Sequence, residues 1–146
     1  MQRMLLLVAL MAVITTSAVS IGGQNTAGKT TSSANPEAAL DGDWRGESVC
    51  VVRESACRDE DSLYHFSKIP EKAGRYSLQA DKIVEGKPVT MGTSECTFDP
   101  TQHAIECTIS AGTTLHFALN DKTLKGTMTI QGSKLWRRIT LKKVGA

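Results

Sequence analysis

Four cysteines, three histidines and one acidic run are the residues of this 146-residue chain whose types could do chemistry. Cys50 and Cys57 have six residues between them, and Cys96 and Cys107 have ten. Structural zinc sites need cysteines two to four residues apart, so disulfides are the expected chemistry, and four cysteines allow three connectivities. His65, His103 and His116 lack the i, i+2 or i, i+4 partner of a metal site and are expected on the solvated surface. The run Arg58-Asp59-Glu60-Asp61 offers carboxylates for calcium, but it lacks the glycine turn and later bidentate glutamate of a calcium loop. It reads as a solvated charged loop. No serine stands in a nucleophile elbow, and two bridges would leave no free thiol. A non-enzymatic protein without metal or cofactor is expected.

The chain that positions these residues carries 17 Lys+Arg against 15 Asp+Glu, a balance that argues against nucleic-acid binding. Its longest apolar run, Met4 to Ile14, is eleven residues and too short to span a membrane. With Arg3 before it and the small, polar Thr15 to Ser20 after it, residues 1–20 read as a signal peptide cut after Ser20. No cysteine follows the run until Cys50, so no lipid-modified terminus is expected. The expected location is the periplasm or the medium, where thiols oxidise. Residues 21–40, rich in Gly, Ser, Thr and Ala, read as a flexible linker in which a helical turn at Pro36–Ala39 has no consequence. Residues 41–146 form the expected domain.

From position 43 onward the apolar pattern has period two, with Thr, Val and Ile frequent at strand positions. The turn Asp99-Pro100-Thr101-Gln102 sets Phe98 opposite Ile105 and Cys96 opposite Cys107, on one face and within disulfide reach. A bridge from either cysteine to the first half of the chain is the alternative. A turn at Ala111-Gly112 then sets Cys107 opposite Leu115. A turn at Asn120–Thr123 sets Leu115 opposite Met128, and one at Gly132-Ser133 pairs Ile130 with Leu135 and Gly126 with Ile139. Apolar parity survives every hairpin, which a one-residue slip would reverse. The expectation is an antiparallel meander over 94–143. Upstream, strands are expected near 44–52, 62–69 and 74–84, with a return through Val89 and Met91 and a bulge or corner at Gly92. Cys50 and Cys57 flank the turn Arg53–Ala56 and are expected to bridge locally. Eight or nine short strands in sequence order favour an all-β, disulfide-stapled up-and-down barrel; a β-sandwich is the alternative.

Gly42-Asp43-Trp44 at the head of the first strand resembles the G-x-W signature of the lipocalins and related calycin barrels, in which an arginine of the closing strand packs across the tryptophan. The resemblance implies that Arg137 makes a cation–π contact with Trp44. Trp44-Arg45-Gly46, Cys50, Cys57, Met91-Gly92-Thr93, Cys96, Phe98-Asp99 and Arg137-Arg138-Ile139 also resemble a group of small exported bacterial proteins, a likeness that implies fold and export but no activity. In a barrel, Trp44, Tyr76, Leu78, Phe98, Leu115, Phe117 and Met128 would face the lumen, where they either line a pocket, with Gly46, Ser48 and Gly126 leaving space, or simply pack together, the reading that a core of about a hundred residues favours. The basic end Arg137, Arg138, Lys142, Lys143 is an alternative docking place for an anionic group. The expected function is that of a monomeric binding protein taking a small apolar ligand in the lumen. The alternative is an interaction protein, such as a hydrolase inhibitor, acting through loops like 53–61.

Overall fold

A computed structural model describes residues 36–145; the expected signal peptide and most of the expected linker lie outside them. A short helix, α1 (Pro36–Leu40), precedes eight strands: β1 (Gly42–Cys50), β2 (Glu60–Lys68), β3 (Arg75–Val84), β4 (Lys87–Asp99), β5 (Ala104–Ser110), β6 (Thr113–Asn120), β7 (Thr123–Ile130) and β8 (Lys134–Lys143). Each strand pairs antiparallel with the next, and β8 returns to β1, closing an up-and-down barrel. Closure leaves no room for the two separate sheets of a sandwich. The count is eight because the return through Val89 and Met91 and the segment holding Cys96 are one strand, bent at a bulge where Ala80 faces Gly92 but Asp81 faces Thr90.

The arithmetic of apolar parity holds through the second half. Phe98 faces Ile105, Cys107 faces Leu115, Leu115 faces Met128, and Gly126 faces Phe117 on one side and Ile139 on the other. The exception is Ile130, which faces Lys134 because a bulge after Met128 shifts the last two pairs by one residue. Both local disulfides are present, Cys50–Cys57 and Cys96–Cys107. The second joins residues directly across a strand pair, with Cα atoms 4.1 Å apart.

The inward side chains of all eight strands meet in one core, led by Trp44, Phe66, Tyr76, Leu78, Phe117, Leu124, Ile139 and Leu141. Tyr64 and Phe66 both meet Phe117 edge-on, and Tyr76 meets Phe98 the same way. Gly126 is a glycine for a packing reason: a Cβ there would lie 2.3 Å from the Phe117 ring and 2.3 Å from His116 O.

The expectation that residues through 40 are inert linker fails at its last turn. Leu40 is fully buried in the core. The indole Nε1 of Trp44 donates to Leu40 O at 2.8 Å, and Tyr76 Oη donates to Glu37 O at 2.6 Å. Lys68 Nζ lies 2.9 Å from Glu37 Oε1. Five residues are too few to sustain a helix alone; α1 is held by the barrel end it covers.

Candidate functional site at the open end of the barrel

Strand direction gives the barrel two unlike ends. At the first lie α1, the turns 69–74, 100–103 and 121–122, and the end of β8. Here Leu40 and Trp44 fill the axis, and Lys143 closes over them: its ammonium donates to Ala39 O and to Asp41 O and sits 5.3 Å from the centre of the Trp44 ring. The cation on Trp44 is therefore Lys143, and the expected Arg137 contact is not formed. Trp44 stands at the start of β1, where its neighbour in β8 is Lys143; Arg137 faces Cys50, six residues further along β1.

At the second end lie the disulfide loop 51–59 and the turns 85–86, 111–112 and 131–133. A cavity of about 90 Å³ opens here, lined by Tyr64, Leu78, Ala80, Leu115 and Met128 from inside the barrel and by Met91, Gly92, Thr93, Ser94 and Ile109 at the lip between β4 and β5. Of the lumen residues nominated from sequence, Leu115 and Met128 reach this cavity, together with Leu78. Trp44, Tyr76, Phe98 and Phe117 pack against one another's neighbours in the filled core. Gly46 and Gly126 open no space, because backbone and ring atoms occupy what their side chains would.

Across the lumen from the apolar lip stands a polar wall. Arg137 points inward, only 12% exposed, with Nη2 3.0 Å from Glu60 Oε1. Its Nη1 donates to Ser48 O and Ser48 Oγ at 3.3 Å. Ser48 and Ser62 are buried beside it, and Ser62 Oγ has no protein partner. Burial, helped by the Glu60 carboxylate, pushes the Tyr64 phenol up to about 12, so it stays a neutral hydroxyl. The wall carries one cation and one anion already joined. Of these groups only Tyr64 lines the cavity; Ser48 and Ser62 are buried behind it.

The remaining candidates resolve differently. The acidic run is used internally: Asp59 Oδ1 accepts from Cys50 N at 2.7 Å, Glu60 holds Arg137, and Asp61 pairs with Arg45 at 2.7 Å. The basic end is divided, with Arg137 inside, Lys143 on α1, and only Arg138 and Lys142 outward and exposed. His65 is more than surface. Its Nδ1 lies 2.7 Å from Asp43 and its Nε2 3.1 Å from Asp81, a carboxylate only 3% exposed that also accepts from Gln79. Burial lowers the imidazole's proton affinity, but the bonds to Asp43 and Asp81 outweigh it and the pKa is raised. The Thr90 hydroxyl joins this cluster, hydrogen-bonded to Asp81. Among the described residues no group of His, Cys, Asp and Glu is arranged to hold a metal ion.

Sequence reasoning missed Tyr64, Ala80, Met91 and Ile109 at the cavity. Tyr64 and Ala80 carry the alternating signal, but their register runs through irregular loops. Met91 and Ile109 sit at breaks in the ladders, where alternation carries no information. No protein-family model matches this chain, and no curated protein does.

Proposed function

We propose that this chain is an exported, monomeric, non-enzymatic binding protein of lipocalin-like design, which takes a small apolar group at the open end of its barrel. The observation that carries this reading is the asymmetry of the lumen. One end is sealed by Leu40, Trp44 and Lys143, whereas the other keeps an apolar hollow of about 90 Å³. That volume is below the ~150 Å³ of an apolar cavity that accepts benzene. It suits the tip of an aliphatic group, and the rest of the ligand lies outside.

Titration with isobutanol, followed by methyl NMR, tests this. Shifts are expected at Met91, Ile109, Leu115 and Met128, with Leu119 and Leu124 in the filled core unmoved. Ala80→Leu, which fills the hollow, is expected to abolish them. Shifts scattered over the surface, or none at the solubility limit, would refute the reading. A second reading, an inhibitor acting through its loops, draws on the loop 51–59. The Cys50–Cys57 bridge and the Asp59–Cys50 hydrogen bond hold that loop while it exposes Arg53 and Glu54.

A further inference from the structure

β4 is thirteen residues long, yet its two sides are paired very unequally. β3 pairs with it from Lys87 to Thr97, whereas β5 pairs with it only from Cys96 to Asp99. Continued in the same register, Ser110 at the end of β5 would lie across from Thr93. Lys87–Gly92 therefore run past β5 altogether.

The pleat says which backbone groups are left open. Cys96 and Cys107 approach to 4.1 Å at Cα, the spacing of a non-hydrogen-bonded pair. The N–H and C=O of Cys96 thus point to β3, and by alternation those of Thr93 and Glu95 point away from it. At the hairpin tip Glu85 and Gly86 both have positive φ, 53° and 78°, giving a two-residue turn closed by the Val84–Lys87 pair. Alternation from that pair turns Thr90 outward, and Pro88 too, which has no N–H to leave unpaired. Pro88 and the bulge at Met91 limit the open edge to a short ladder. What remains is Thr90 and Thr93; Glu95 faces Thr108 of β5, whose carbonyl also accepts from Ser94 Oγ at 2.8 Å.

Three further observations say what fits there. The cavity opens at this edge, between Met91–Ser94 and Ile109, and its volume of about 90 Å³ suits one aliphatic side chain. Val89, Met91 and Ile109 are large hydrophobics left 38–45% exposed around it. Lys82 and Lys87, on one face of the ribbon with Val84 and Val89, enter none of the ion pairs among the described residues. We propose that the edge Lys87–Thr93 of β4 adds a strand from an extended polypeptide, which places one aliphatic side chain in the cavity and a carboxylate near Lys82 and Lys87. Main-chain bonds would supply affinity, and the cavity and the lysines specificity. The inference rests on the cavity reading above and names its ligand.

The probe is a set of fluorescein-labelled heptapeptides with Leu, Ile or Val at the centre, Asp or Glu at one end and Ser or Thr elsewhere, read by anisotropy against the chain from residue 21. Binding is expected, and N-methylation of one alternate set of peptide amides should weaken it about tenfold or more, while the other set is tolerated. Thr90→Pro removes an open-edge donor without touching the β3 ladder, at a residue that does not line the cavity. It should weaken peptide binding by a similar factor and leave the isobutanol shifts intact. Lys82→Glu with Lys87→Glu should reverse the preference for an acidic end. No peptide binding, or binding indifferent to N-methylation, overturns the proposal; persisting isobutanol shifts would then leave the cavity reading standing, and their absence would remove both. A concentration-dependent dimer broken by Thr90→Pro would also overturn it, assigning the edge to a second copy of this chain.

Discussion

Leu40→Ala is the substitution that separates a linker from a structural plug. Leu40 is fully buried, whereas its apolar neighbour Ala39 is only partly buried. Truncating a buried leucine removes its transfer free energy and leaves a cavity, costing about 2–5 kcal/mol. The hydrogen bonds from Trp44 Nε1, Tyr76 Oη and Lys143 Nζ to α1 and Asp41 hold the helix backbone in place, so collapse into the space is restricted. A loss of ~3 kcal/mol follows, equivalent to a fall in Tm of roughly 10–20 °C for a domain of this size. Urea denaturation followed by far-UV circular dichroism measures it, with the slope unchanged if only stability has moved. A loss under about 0.5 kcal/mol, the range of an ordinary surface change, would show that α1 does not seal the barrel, and the two-ended description of the lumen would fall with it.

Gly126→Ala places a Cβ 2.3 Å from His116 O and from the Phe117 ring, and at least one of those contacts is immovable backbone. The expected loss is about 1–3 kcal/mol, despite the ~0.5–1 kcal/mol that replacing a strand glycine by alanine returns. Gly92→Ala, with nothing within 4 Å of its Cβ, is the control that should not destabilise. His65→Gln tests the bridge from Asp43 to Asp81. Because the imidazole pKa is raised above 6.5 in the fold, its contribution is fully present below that value and is lost as pH rises through the folded pKa. Asp81 is lowered from 3.8: burial opposes this, but hydrogen bonds from Thr90, Gln79 and His65 prevail, so its contribution is lost as pH falls into the acid range. The stability difference between wild type and His65→Gln should therefore be largest between about pH 4 and 6.5 and shrink toward pH 8. A difference independent of pH would refute the bridge.

Alternation was enough to read most of this barrel before any coordinates, because a strand buried on one face writes its register into every second residue. Phe98, Cys107, Leu115, Phe117 and Gly126 stand opposite the partners their parity demands. Two cysteines opposed across a tight hairpin stand within reach of each other, and they do bridge. The same reasoning misplaced Ile130, because a bulge adds one residue without a compositional mark. Tertiary structure alone decided the rest. The cation on Trp44 depends on how far along the closing strand the barrel shuts, which sets Lys143 rather than Arg137 against the indole. Leu40 looks like the end of a polar linker until the barrel offers it an open end to fill. His65 needs three neighbouring strands to meet Asp43 and Asp81. The cavity, finally, lies where ladders are broken at Met91 and Ile109. Periodicity specifies where side chains pack, and is silent where pairing stops and space is left.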